Sequence, residues 1–174
     1  MGASFHAYPS VAQYVDAPPS IYSRAVPLAC DVLEWDTTGC FDAANHRFVA
    51  NAPMVVSFHA MVLFLGAKIG QSVNVWLMKN ALPPPDGSTG FWQDGQWAGE
   101  YCGDDVPVFQ PGGFGSCPVG VNFPITARVH RLMRLGLNDC VYAVPGAAGG
   151  CQLANAVNGA NTVCYFEGEI IELL

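Results

Sequence analysis

Residues 54–65 read MVVSFHAMVLFL, an almost continuous apolar run in a chain of 174 residues. The run is rich in β-branched and aromatic side chains and is long enough for a strand in the core of a sheet. It is shorter than the roughly 20 apolar residues of a membrane-spanning helix, and Ser57 and His59 interrupt it. We therefore predict a core β-strand, with His59 as a hydrogen-bonded core histidine, and no insertion into a membrane.

The segments around this run also predict strands. No window keeps the helical spacing of apolar residues for three turns without a glycine or a proline. Further strands are expected at residues 26–35, 41–50, 73–79, 125–131, 139–144 and 162–173. Many short strands separated by turn residues are typical of two packed sheets, so the predicted fold class is all-β, a two-sheet jelly-roll sandwich.

The composition indicates self-association and argues against nucleic acid as a partner. Only 12% of the residues are charged and 51% are hydrophobic, whereas soluble domains have about 25% charged residues. Such a chain is expected to bury apolar surface between subunits. A net charge of −7, with only seven Lys and Arg, does not suit binding to phosphates.

The seven cysteines are expected to be mostly small buried side chains of a protein made in a reducing cytoplasm. Their number is odd, and their spacing does not match that of metal ligands. A disulfide between Cys102 and Cys117 is the alternative.

Residues 1–24 are predicted to form an N-terminal arm, followed by one domain at 25–174. The arm has no strand or helix period and too little contiguous apolar surface to fold alone. It lacks the basic start and apolar run of a signal peptide. Because free aromatic side chains would be costly, we expect the arm to order against a partner. The candidate anchoring residues are its aromatic side chains, Phe5, Tyr8, Tyr14 and Tyr22.

Residues 81–120 are predicted to form a long loop that contacts a partner. The segment contains nine glycines, six prolines and no Lys, Arg or His, and loops of this length are usually functional. Aromatic rings stack on sugars and carboxylates accept hydrogen bonds from sugar hydroxyls. The candidate receptor or glycan contacts are Phe91, Trp92, Asp94, Trp97, Glu100 and Tyr101. The alternative is that these rings complete the core of the sandwich.

The sequence predicts neither catalysis nor a bound cofactor or metal. A catalytic site needs a nucleophile, a base and an orienting group, and no local signature supplies them. Residues 113–117 read GFGSC, which does not fit the spacing of a nucleophile elbow. Asp104 and Asp105 are interpreted as a solvated acidic turn in preference to a calcium site.

Four segments in order resemble the C1q/TNF-like jelly-roll family. The family shows Phe-Asp, a turn, Phe and Pro before a core strand, then a strand ending in Lys-Asn-Gly, then Leu-x-x-Gly-Asp-x-Val, and a closing Phe-x-Gly-x-Leu strand. The matching segments are FDAANHRF at 41–48 with Ala52-Pro53 and VSFH at 56–59, VNVWLMKN at 73–80, LMRLGLNDCV at 132–141, and VCYFEGEII at 163–171. The sequence departs from the pattern at Met54 and Val56, where the family prefers Gly and Tyr, and at Ala81 and Asn138, where the family has glycine.

The resemblance implies a homotrimer with an apolar axis. The residues expected in the core or along this axis are Phe41, Phe48, Phe58, Tyr165 and Phe166. Chains of this kind without a stalk or signal peptide resemble bacteriophage virion proteins. The expected function is therefore a non-enzymatic capsid-decoration or head or tail-fibre protein, located in the virion and anchored by its arm to a capsid or tail protein. The alternatives are a fibre head that binds a host receptor or glycan through 81–120, and a secreted, extracellular C1q-like ligand.

Overall fold

The computed structural model describes residues 2–15, 26–67, 72–80, 92–93, 96–97, 101–102, 106–107, 123–147, 151–153 and 164–174. Regular structure in these residues is all β-strand, as the sequence predicts, and they contain no helix that could cross a membrane. The strands are β1 (Ser4–Tyr8), β2 (Tyr14–Val15), β3 (Val32–Asp36), β4 (Phe41–Asp42), β5 (Arg47–Val49), β6 (Met54–Ala67), β7 (Ser72–Lys79), β8 (Trp92–Gln93), β9 (Gln96–Trp97), β10 (Tyr101–Cys102), β11 (Val106–Pro107), β12 (Phe123–Leu135), β13 (Cys140–Ala147), β14 (Cys151–Leu153) and β15 (Cys164–Leu173).

The first sheet is built around β6. On one side β6 pairs along its length with β12, and on the other it pairs with β15 and then with β14. Beyond β15 the sheet continues through β1 to β3, and β14 pairs with β2. All these pairs are antiparallel. The strand order β12-β6-β15-β1-β3 therefore places β12 at one edge of the described sheet and β3 at the other.

The second sheet has the order β10-β7-β13-β5-β4, and β11 also pairs with β7. Strands β10 and β11 belong to the segment predicted as a loop, so part of that segment extends the second sheet. Among the described residues, strands β8 and β9 pair with each other, with Trp92 opposite Trp97 in the backbone register.

A cluster of phenylalanines joins the two sheets. The rings of Phe5 and Phe48 stack with centroids 5.3 Å apart, and Phe58 and Phe166 stack at 5.7 Å. Phe41 stacks on Phe5 at 5.0 Å. Burial of each such ring contributes roughly 1.5–3 kcal/mol. These contacts define the core of the sandwich, and Phe41, Phe48, Phe58 and Phe166 belong to it.

The turn between β12 and β13 explains one departure from the family pattern. Asn138 has a φ of 68°, a left-handed conformation that glycine adopts freely and asparagine tolerates better than most residues. The next residue, Asp139, accepts hydrogen bonds from the Gly136 amide at 2.7 Å and from Asn80 Nδ2 at 2.8 Å. Lys79 Nζ lies 3.2 Å from the same carboxylate. The end of β7 is thereby tied to this turn.

The predicted boundary at residue 24 is wrong for the first residues of the chain. Ser4–Tyr8 is β1, which lies between β15 and β3 within the first sheet. Phe5 is only 1% exposed and packs in the phenylalanine cluster, so it cannot anchor the chain to a partner. Tyr8 is half-buried and Tyr14 is exposed, whereas Tyr22 lies outside the described residues.

The four cysteines whose side chains are described, Cys30, Cys40, Cys140 and Cys164, are buried, as the sequence predicts for small apolar side chains. Cys30, Cys40 and Cys164 belong to the main core, and Cys140 lies on the far side of the second sheet. There it packs in a second buried cluster with Tyr142, and Tyr142 accepts a hydrogen bond from Arg47 at 3.2 Å. The expectation for Cys102 and Cys117 concerns side chains outside those described.

Candidate functional site

Five side chains form a row across the face of the first sheet that points away from the core, here called the outward face. The register pairs His130 of β12 with His59 of β6, and His59 with Glu167 of β15. It then pairs Glu167 with His6 of β1, and His6 with Trp35 of β3. This histidine–glutamate row spans the full width of the sheet and contains three of the four histidines of the chain.

The alternation of β6 places His59 on the outward face. Phe58 and Ala60 are fully buried on the core face, so the residue between them must point the opposite way. The prediction that His59 is a core histidine is therefore wrong, although the predicted hydrogen bonding is present. Ser57 and Met61, each two residues away, share the outward face and are half-buried.

Glu167 joins two of the histidines. One carboxylate oxygen lies 2.9 Å from His6 Nδ1 and the other lies 3.1 Å from His59 Nδ1. An ionised carboxylate only accepts hydrogen bonds, so each histidine donates from Nδ1. The bond from His6, followed by the bond from His59, outweighs burial and lowers the pKa of Glu167 below its ordinary value. The carboxylate is thus held in its charged form.

His6 is the most enclosed polar side chain of the row, with 8% of its surface exposed. Its ring stacks on Trp35 with centroids 4.7 Å apart and an angle of 19°. Its Nε2 atom lies 3.6 Å from a Glu34 oxygen. Trp35 in turn donates from Nε1 to Ser4 Oγ at 3.3 Å. Packing and hydrogen bonds therefore fix His6 in one orientation.

The other end of the row contains a serine–histidine pair. Ser57 Oγ lies 2.8 Å from His130 Nε2, and the rings of His59 and His130 meet edge to face at 6.1 Å. A hydrolytic site would also need donors for an oxyanion. Ser57 lies in β6, which is paired on both sides, so its surrounding backbone amides are used within the sheet. The arrangement suits binding better than hydrolysis.

A depression of about 560 Å³ lies over this row. Its lining residues are Ser4, Phe5, Trp35, Ser57, His59, His130, Glu167, Gly168 and Glu169. The serines and the glycine are small, whereas Trp35 and Glu169 are large and exposed. The depression therefore combines an aromatic surface, hydroxyl groups and a carboxylate. Within the described part of the chain, no group of three or more His, Cys, Asp or Glu side chains is suited to hold a metal.

Exposed apolar side chains also lie on the outward face. Trp35 is 44% exposed and Leu132, on the outward face of β12, is 63% exposed. Leu65 is also exposed at the far end of β6. Tyr165 is the one residue predicted for the core or trimer axis that lies on this face, with its hydroxyl 3.2 Å from His59 Nδ1. Among the residues whose side chains are described, the outward face thus has a hydrogen-bonded centre, exposed apolar side chains beside it, and charged side chains on β12 and β15.

The predicted contacts in 81–120 lie apart from this site. Trp92, Trp97 and Tyr101 are described only as backbone, in β8, β9 and β10. Phe91, Asp94 and Glu100 lie outside the described residues. Sequence reasoning missed His6, Trp35, His130 and Glu167 as members of one site. One part of the site could have been recognised from the sequence. Side chains alternate along a strand, so Ser57 and His59, two residues apart in β6, must share a face.

The backbone is similar to solved jelly-roll domains over nearly its whole length. The globular domain of zebrafish complement 1qA protein has a TM-score of 0.58 and 12% identity, with 100% of both chains covered. Eiger TNF from S. frugiperda has a TM-score of 0.61 and 8% identity, with 99% of this chain and 94% of that chain covered. Murine APRIL has a TM-score of 0.62 and 8% identity, with 98% of this chain and 100% of that chain covered.

No protein-family model and no curated protein sequence matches the chain. At such low identities, structural likeness shows the fold and not the activity. The chain therefore has a C1q/TNF-like jelly-roll fold, as the sequence motifs predict.

Proposed function

We propose that this protein is a non-enzymatic binding domain that works as a homotrimer, and that its copies associate through the outward face of the first sheet. The observation that carries the proposal is the composition of β6, which is largely apolar on both faces. Its core face is fully buried, and its outward face carries Val55, Met61, Leu63 and Leu65. A strand that is apolar on both sides is typical of a sheet covered on both sides.

The energetics favour covering this face. Trp35 and Leu132 are both more than two-fifths exposed, and burying apolar surface yields about 25 cal/mol per Å² before the costs of association. The low charge content of the chain points the same way. The central polar groups already have partners within the chain, such as Glu167 with His6 and His59. A second copy could therefore cover them without leaving those groups unsatisfied.

The trimeric state and the absence of catalysis are supported by the fold. The family resemblance implies a homotrimer, and the similar structures are of a complement protein and of TNF-type proteins. Likeness to a complement domain and to a TNF favours a ligand or binding role over catalysis. The backbone amides beside Ser57 of the serine–histidine pair are already used in the sheet, which agrees with that role.

The proposal is tested by placing a charge on this face. Leu132→Glu puts a carboxylate at an apolar position 63% exposed, and it should convert the trimer to monomer without unfolding it. The matched control is Leu137→Glu, which is 60% exposed in the turn after β12 and should remain trimeric. Light scattering at micromolar concentration measures the mass. A wild-type protein that is a folded monomer there would refute the proposal.

The role as a capsid-decoration or fibre protein of a virion remains a prediction from the sequence. The anchoring arm on which it depends is shortened, because β1 and β2 both belong to the first sheet. If the predicted anchors Tyr14 and Tyr22 attach the trimer to a capsid or tail protein, Tyr14→Ala with Tyr22→Ala should leave a folded trimer that no longer joins particles. Receptor or glycan binding by 81–120 is likewise a proposal, and Trp92→Ala with Trp97→Ala should reduce attachment to host cells without changing the trimer.

A further inference from the structure

Charges on the first sheet are segregated by strand. β12 carries Arg128, Arg131 and Arg134, three of the seven Lys and Arg in the chain, and all three are exposed. The acidic groups lie two and more strands away, with Glu167, Glu169 and Glu172 on β15 and Glu34 on β3. One edge of the sheet is therefore basic, and the other side of the outward face is acidic. Opposite patches on one chain suit contact between copies.

Arg131 is a charged, exposed residue on the core face of β12. Side chains of a strand alternate between its two faces. The described residues on the same face of β12 are Ala127, Val129, Met133 and Leu135, and all four are buried. Arg131 pairs in register with the fully buried Phe58, yet it is exposed. It can reach solvent because β12 is at the edge of the described sheet. A charge at a core register on an edge strand can prevent edge-to-edge pairing, but it also supplies a cation directed away from the acidic groups of its own sheet.

The depression has the chemistry to hold a guanidinium group. Glu169 is exposed at its rim, and β1 separates Glu169 from the exposed indole of Trp35. Arginine pairs with carboxylates and stacks on aromatic rings, and tryptophan is the best such ring. The hydroxyl of Ser4, which already accepts a hydrogen bond from Trp35 Nε1, lies between these two walls and can accept a second one. The oxygens of Glu167 already accept bonds from His6 and His59, so Glu169 is the carboxylate expected to pair.

We propose that the depression binds Arg131 of a neighbouring copy, with its guanidinium between Glu169 and Trp35. This inference rests on the proposed self-association and assigns the residues that make the contact. The surfaces that meet are then different on the two copies: the β12 edge of one and the outward face of the next. Such a contact is heterologous, and it forms a closed ring when the rotation between copies closes. A ring of three satisfies this condition.

Charge reversal tests the pairing. Arg131→Glu alone and Glu169→Arg alone should each raise the trimer dissociation constant about tenfold or more, and the double variant should regain much of the wild-type affinity. The matched control is Arg134→Glu, an exposed arginine on the same strand. Combined with Glu169→Arg it should show no such recovery. Analytical ultracentrifugation measures the dissociation constants, and circular dichroism confirms that each variant is folded.

The outcomes separate this inference from the proposed function. If the wild type is trimeric but Arg131→Glu leaves the dissociation constant unchanged, or the double variant shows no recovery, Arg131 only guards the edge and the pairing is wrong. If the wild type is monomeric, both proposals fail. Should Arg131→Glu not fold, Arg131→Gln removes the charge more gently, and its dissociation constant should then lose most of the salt dependence that the wild type shows.

Discussion

The two faces of β6 differ in what fixes their side chains. On the core face, Phe58 and its neighbours two residues away are fully buried, and each ring or aliphatic group packs against the second sheet. On the outward face, His59 and Ser57 are half-buried and are held by hydrogen bonds to strands on either side. Packing of side-chain volume fixes the residues on the core face, whereas hydrogen-bond partners fix those on the outward face. Adjacent residues of β6 should therefore respond differently to the same substitution.

The comparison also separates stability from assembly. Fully buried residues on the core face are closed off within one chain and can contribute only to folding. Residues on the outward face, such as Trp35 and Leu132, remain accessible, so substitutions there should act mainly on association. The assembly variants described above, at Leu132 and Arg131, should therefore melt close to the wild type once both are compared as monomers.

The largest effect is expected from truncating adjacent residues of β6. Phe58→Ala removes a ring whose centroid lies 5.2 Å from that of Phe48 and 5.7 Å from that of Phe166. This substitution should lower the free energy of unfolding by about 3–5 kcal/mol. His59→Ala loses a hydrogen bond and partial packing, and it should cost only about 1–2 kcal/mol. Urea denaturation of both variants measures the difference. Equal losses would mean that the outward face is as tightly packed as the core.

An intermediate effect is expected at Gly168, where the core face of β15 passes the phenylalanine cluster. A Cβ atom there would lie 2.6 Å from Phe5 Cε1 and 2.9 Å from Phe58 Cδ1. Both rings are fixed within the core, so Gly168→Ala should cost about 1–3 kcal/mol through overpacking.

Gly136→Ala is the matched control for this substitution. The nearest atom to a Cβ at Gly136 is Asp139 Oδ2 at 3.5 Å, which is ordinary contact, so this variant should unfold nearly as the wild type does. The two midpoints in urea give the comparison. If Gly168→Ala is as stable as Gly136→Ala, the rings must move aside at little cost, and the core is less closely packed than its contacts indicate.

The fold could be predicted because most strands can be recognised from their local sequence. Residues 54–65 and 73–79 show β-type residues, and the Lys79-Asn80 and Asn138-Asp139 positions carry turn chemistry that matches a known pattern. β1 was missed because five residues of alternation are a weak signal. The burial of Phe5 depends on the pairing of β1 with β15, which lies at the far end of the chain.

The site could not be predicted for the same reason. Glu167 meets His59 across 108 positions and His6 across 161 positions of sequence. These contacts follow from the register of three strands, and a shift of one residue in any strand would turn its side chain to the other face. Only the parity of Ser57 and His59 within β6 was readable from local sequence.

The smallest effect is expected from the hydrogen bonds of Glu167, and it depends on pH. The bonds from His6 and His59 lower the folded-state pKa of this carboxyl below its ordinary value of 4.5. A lowered folded pKa stabilises the native state above the unfolded pKa, and that contribution is lost as the pH falls through the folded value. Glu167→Gln should therefore cost on the order of 1 kcal/mol near neutral pH, because the group is partly exposed and screened.

The pH profile distinguishes a charge effect from a packing effect. Below the folded pKa the wild-type carboxyl is protonated and, like glutamine, uncharged, so the stabilities of wild type and Glu167→Gln should converge on acidification. A packing defect would instead give a constant difference at every pH. Glu172→Gln, an exposed carboxyl on the same strand, is the control and should follow the wild type throughout. Urea denaturation from pH 3 to pH 7 measures all three curves, and a difference that persists undiminished at pH 3 would show that Glu167 acts through its shape and not through its charge.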